Sequence, residues 1–121
     1  MSVLEGQGLL VRIFIGESDL WHHQPLHLAI VERLRKSGFA GATVLRGTAG
    51  FGARSVLHTT HILRLSEDLP VIIEVVDSEE NIRRMLPMLE EMVPEGLVTL
   101  EKVQILKYSP GHRPLDPAPP G

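Results

Sequence analysis

Residues 69–77 are Leu69-Pro70-Val71-Ile72-Ile73-Glu74-Val75-Val76-Asp77, the most strand-like run of the chain. From Val71 to Val76 every residue except Glu74 is β-branched. Such side chains lose little freedom in extended backbone, so the run is a strand, and Pro70 is tolerated as its first residue. Side chains alternate across a strand, which sets Val71, Ile73 and Val75 on one face and Ile72, Glu74 and Val76 on the other. The second face carries one charge between two apolar groups, too apolar for a surface left in water.

Downstream, Asp77 offers an N-cap with Glu80 three residues on, and Ile82, Met85, Leu86 and Leu89 supply the apolar face of a helix. Pro87 conflicts with that helix, because it lacks an N–H and crowds the preceding turn; a kink or a shortened helix near Leu86 is expected. Pro94 and Gly96 close the segment, and residues 97–106 read as a last strand. Upstream, residues 42–46 form a short strand followed by Gly47, Gly50 and Gly52 and a polar stretch to about His61, a long loop punctuated by glycine. Before it, Pro25 opens a helix with Leu26, Ile30 and Leu34 on one face, closed by Gly38, with Phe39 placed to make the apolar contact of a C-terminal cap. Residues 9–15 are a further strand, with Leu9, Val11, Ile13 and Ile15 on one side and Leu10, Arg12 and Phe14 on the other.

Strand, helix, strand, strand, helix, strand makes two right-handed crossover units in one sheet. The expected class is α+β, a ferredoxin-like βαββαβ sandwich whose antiparallel sheet carries both helices on one face. The strands of residues 9–15 and 71–76 then lie side by side, so Arg12 and Glu74 can pair, and the doubly apolar sheet calls for self-association, the plain alternative being that the tail or the long loop covers its second face. Residues 1–108 make one domain; residues 109–121 hold five prolines and little apolar bulk, a tail expected to be disordered.

The chain has 121 residues, a net charge of −3, six histidines and no cysteine. One domain of this length buries a core without staples. The absence of cysteine excludes disulfides, thiolate metal sites and a thiol nucleophile. No basic leader opens the chain and no apolar run nears the roughly 18 residues that cross a bilayer, so a cytoplasmic protein without membrane insertion is expected. Basic residues are scattered, with Arg33, Arg35 and Lys36 the densest group, and the basic stripe of a nucleic-acid binder is missing.

The run Gly41-Ala42-Thr43-Val44-Leu45-Arg46-Gly47, then Gly50-Phe51-Gly52, then residues 65–77, resembles the bacterial family called domain of unknown function 190, classed as PII-like. The resemblance covers residues 9–108. It implies a homotrimer related to PII signal-transduction proteins, which bind adenine nucleotides in clefts between subunits and grip target proteins with a flexible loop. A membrane transporter is the kind of partner implied. In PII proteins a Gly-Phe-Gly-Arg run after the second strand lends backbone to the nucleotide; Gly50-Phe51-Gly52-Ala53-Arg54 is similar, with the basic residue one place later, and Thr43 resembles the family's nearby threonine. PII proteins also place a lysine after the glycine before the last strand and arginines beyond it. Here Leu97 follows Gly96 and only Lys107 lies beyond, which points to an adenine nucleotide or other small anion less charged than ATP.

From the residues alone, Gly47, Gly50 and Gly52 let backbone amides approach an anion, and Arg46 and Arg54 can neutralise it; a bulged turn is the plain structural alternative. No helix opens straight after these glycines, as a dinucleotide fingerprint requires. His58 sits in the loop, placed for a ligand or a neighbouring subunit. His58 with His61, and His22 with His23, suggest the alternative of a metal-binding trimer similar to copper-tolerance proteins, although no second motif of fixed spacing converges on either pair. Catalysis is the third reading: Glu79, Glu80, Glu90 and Glu91 read as helix-end and solvated charges, and Ser55 with His58 lacks any supporting motif. The expected site is Thr43, Arg46, Gly50, Phe51, Gly52, Ala53, Arg54 and His58, in a binding protein and not an enzyme.

Overall fold

A computed structural model describes residues 6–51, 58–59 and 68–109 of the chain. Four strands form its main sheet: β1 (Gly6–Gly16), β4 (Thr43–Arg46), β7 (Pro70–Asp77) and β8 (Leu97–Ile105). Two short ribbons, β2 (Leu20–Trp21) with β3 (Gln24–Pro25) and β5 (Ala49–Gly50) with β6 (His58–Thr59), lie in the connections. The helices are α1 (Leu26–Lys36) and α2 (Glu79–Met92). The sheet order is β4–β7–β1–β8, and all three pairings are antiparallel. This is the ferredoxin-like α+β arrangement expected from the sequence.

The core lies between the helices and one face of the sheet. Val11, Ile13, Ile73 and Val75 are fully buried, at 0% exposure, beneath Ile30, Leu34, Ile82, Met85 and Leu89. Each such side chain contributes roughly 1.5–3 kcal/mol by leaving water. The alternate residues Leu10, Arg12, Phe14, Ile72 and Glu74 face the other way and are half-buried, with neither α1 nor α2 over them.

The end of α1 follows its sequence closely. Gly38 takes a left-handed φ of 84°, Gly38 N–H donates to the Arg35 carbonyl at 3.2 Å, and Phe39 N–H donates to the Leu34 carbonyl at 3.2 Å. Phe39 packs on the core, completing a Schellman cap. The start of α2 corrects the expectation. Its N-cap is Ser78, whose hydroxyl accepts from Asn81 N–H, and not Asp77. Asp77 is buried at 2% exposure and accepts from Ala40 N–H at 2.8 Å, Ser78 N–H at 2.7 Å and Asn81 Nδ2 at 3.0 Å. A carboxylate so placed ties two connections together, and the exposed-side role of the cap passes to its neighbour.

Three further differences have local causes. The shortening expected near Leu86 does not occur, since α2 continues through exposed Pro87 to Met92. Leu89 and Met92, buried beyond the proline, hold that half of the helix on the core. The connection between β1 and α1 contains a hairpin whose loop is His22-His23, with left-handed φ values of 48° and 69°. The loop after β4 is not plain, because β5 and β6 pair across it.

Candidate functional site

The candidate site lies where β4 ends, β7 begins and β1 turns away. Arg46 closes β4 opposite Val71, and Gly47 N–H donates to the Pro70 carbonyl at 2.7 Å. A Cβ on Gly47 would stand 2.6 Å from Pro70 Cγ, so only glycine lets the chain pass Pro70 this closely. From there the chain enters β5, where Gly50 pairs with His58 of β6, and Phe51 follows with 77% of its surface exposed.

Arg46, Gly50, Phe51 and His58 thus share one strand end and one ribbon. Thr43 does not join them: it opens β4 opposite Glu74, on the uncovered face of the sheet, while Arg46 pairs with Val71 on the helix side. Three residues of strand, roughly 10 Å, separate the two. Gly52, Ala53, Arg54, Ser55 and His61 lie outside the described residues.

The turn after β1 supplies residues that local sequence patterns did not single out. Glu17 forms an ion pair with Arg46, reaching across the start of β7. Its backbone is fixed there: Glu17 N–H donates to the Leu69 carbonyl at 2.8 Å and Ser18 N–H to Asp68 Oδ1 at 2.8 Å. Asp19 accepts from Gly16 N–H at 3.0 Å through Oδ2, and its carbonyl accepts from Leu26 N–H at 2.8 Å. Gly16 is again a close approach, since an added Cβ would meet the Asp68 carboxylate at 2.6 Å. Arg46 is therefore paired with Glu17 on a turn whose backbone Asp19 and Asp68 hold. Short-range pattern reading cannot see a pair joined only by the fold; the composition Gly16-Glu17-Ser18-Asp19 signals no more than a turn.

Beyond that turn, the indole of Trp21 stacks on His22 with ring centroids 4.2 Å apart and planes inclined by 15°. His22 and His23 are exposed, and among the described residues no three His, Cys, Asp or Glu side chains are placed to hold a metal ion.

The uncovered sheet face has a charged centre. Arg12 donates through Nε to Glu74 at 2.9 Å and through Nη1 to Glu101 at 2.7 Å. Hydrogen bonds to Glu74 and then Glu101 hold its guanidinium pKa above the ordinary value. The Arg12–Glu74 register is the one expected from the sequence; Glu101, from the neighbouring β8, completes the cluster. Leu10, Phe14 and Ile72 are half-buried around it, while Leu45, Val76 and Leu97 are exposed.

Comparison with known proteins places these features in a family. The sequence profile of the DUF190 family, described as an uncharacterized ACR, matches residues 8–105. A UPF0166 protein of Methanocaldococcus jannaschii is 39% identical over 99 residues, covering 81% of this chain and 91% of that protein. A UPF0166 protein of Aquifex aeolicus is 35% identical over 97 residues, covering 80% of this chain and 91% of that protein. Among solved structures, CPII of Thiomonas intermedia K12 bound to ADP and bicarbonate superposes with a TM-score of 0.59 at 16% identity, covering 86% of this chain and 91% of that one. A second structure of CPII, a nitrogen regulatory PII-like protein bound to ADP, AMP and bicarbonate, gives a TM-score of 0.57 at 18% identity and the same coverage. At such identities the likeness establishes a shared fold.

Proposed function

The chain belongs to the DUF190 family, and from that premise we propose that it is a PII-like regulatory protein, a homotrimer that binds a small anionic ligand in clefts between its subunits. The observation that carries the reading is the uncovered sheet face. Leu10, Phe14 and Ile72 surround the Arg12–Glu74–Glu101 cluster with no helix of the described residues above them, and a second and third copy of the chain would cover them. Residues 1–108 form the binding domain, and residues 109–121 form a tail outside it.

In that assembly Thr43, on the uncovered face, serves a neighbour's cleft, while Arg46, Gly50, Phe51, Gly52, Ala53, Arg54 and His58 form the loop that grips the ligand. The ligand is an adenine nucleotide of low charge or another small oxyanion. The fold supports this, since the CPII structures that share it hold ADP and bicarbonate. Ligand binding orders the loop and alters affinity for a partner protein such as a membrane transporter, so the protein works in the cytoplasm by binding and not by catalysis.

Light scattering on a sizing column tests the assembly, with a trimer expected and a monodisperse monomer at micromolar concentration overturning it. A thermal-shift panel of ADP, AMP, cyclic AMP, bicarbonate and divalent metals tests the ligand. At about a hundred times its dissociation constant a ligand stabilises by roughly 2.7 kcal/mol, several degrees for a domain of this size. Shifts with nucleotides or bicarbonate support the reading. Shifts with metals alone would replace it by the metal-binding trimer, and silence throughout would overturn the ligand.

A further inference from the structure

The Arg46–Glu17 pair occupies a particular place in the chain. Gly47 leaves the main sheet beside Arg46 and Leu69-Pro70 re-enter it close by, where the Leu69 carbonyl holds Glu17 N–H and the Pro70 carbonyl holds Gly47 N–H. Both stems of the proposed ligand loop thus converge on this one ion pair. The two partners are unequal in exposure. Arg46 is a long side chain, 61% exposed, at the end of a four-residue edge strand, whereas the Glu17 side chain is 30% exposed on a turn fixed by Leu69, Asp68 and Asp19.

A guanidinium offers a planar fork of donors that fits a carboxylate, a bicarbonate or a phosphate oxygen pair alike. Resting on the proposed function, we infer that Glu17 is an internal stand-in for the ligand: it holds the Arg46 guanidinium, and an external oxyanion binds there only by displacing the Glu17 carboxylate. The exchange keeps the charge on Arg46 balanced and leaves the Glu17 carboxylate unpaired on a turn whose backbone is held by two further carboxylates, Asp19 and Asp68. Displacement therefore loads the turn that carries the β2–β3 hairpin, because Asp19 anchors both Gly16 and the first turn of α1. Trp21, the single tryptophan of the chain, sits in that hairpin against His22 and reports the event.

The test titrates bicarbonate, AMP and ADP separately into the full chain and its variants, following Trp21 fluorescence and calorimetric heat. Exposed ion pairs of this kind correspond to a factor of up to about five in an equilibrium constant. Glu17→Gln is expected to tighten binding by about threefold, with the Trp21 response reduced because no carboxylate remains to be displaced. Glu90→Gln, which removes the same charge from the exposed face of α2, should bind as the wild type does. Arg46→Gln should weaken binding, and in the double variant the gain from Glu17→Gln should vanish. The responsive probe identifies the ligand: bicarbonate alone points to a free small oxyanion, AMP or ADP to a nucleotide phosphate. Unchanged or weaker binding by Glu17→Gln, with Arg46→Gln still impaired, overturns the stand-in role and leaves the anion site standing. Binding of no probe by wild type or Glu17→Gln overturns the anion site itself.

Discussion

The two faces of the central sheet are built from the same strands and differ by one position along each. On the helix side Val11, Ile13, Ile73 and Val75 are closed off from water by α1 and α2. On the other side Leu10, Phe14 and Ile72 stand around Arg12 with nothing from the described residues above them. A face finished inside the chain can be wholly apolar. In the proposed trimer the other face is finished by further copies and must also fix how they meet, and an ion cluster in its centre penalises any register that leaves a charge unpaired.

One substitution on each face separates the two. Ile73→Ala removes methyl groups from a site at 0% exposure and should lower the unfolding free energy by about 2–5 kcal/mol, read as an earlier urea midpoint. Phe14→Glu, half-buried on the uncovered face, should cost the folded protomer less than about 1 kcal/mol while dissolving the assembly. Unchanged circular dichroism with a monomeric mass by light scattering is the expected pair of results. Should Phe14→Glu unfold the chain as Ile73→Ala does, the two faces would be equivalent and the distinction would fall.

A third prediction has the smallest effect and concerns the outer surface of α1, which belongs to neither face. Arg35 pairs with Glu32, and that hydrogen bond holds the Glu32 carboxyl below its ordinary value of 4.5. A carboxylate depressed in this way stabilises the fold above its unfolded pKa, and the contribution disappears as pH falls through the folded value. Arg35→Ala should therefore melt slightly below the wild type at neutral pH, with the two curves merging once the pH is well below 4.5. A gap that widens on acidification would contradict the assignment.

How much of this was legible in advance depended on the range of the cause. Strand alternation acts over two residues, and the division of β7 into Val71, Ile73 and Val75 against Ile72, Glu74 and Val76 is the division found. The cap at Gly38 and Phe39 is equally local. At the start of α2 the sequence pointed to Asp77, and the tertiary position of Ala40, whose N–H donates to Asp77, was not legible there; the cap is Ser78. The His22-His23 hairpin carries neither glycine nor asparagine at its left-handed positions, so the usual turn signal is missing. In the candidate site, Arg46 and the glycines were visible as a cluster, whereas Glu17 was not, because its partner is brought to it by β7 lying between β1 and β4.

The position of β1 has a consequence for synthesis. Its neighbours on the two sides are β7 and β8, so Gly6 waits for Ile105 and Leu9 for Asp77 before their ladders can close. The strand of the sheet that leaves the ribosome first is therefore unpaired until β7 emerges, and one of its edges stays an open apolar template until β8 follows. A nascent chain stalled ahead of β8 would present that template to every other stalled copy nearby.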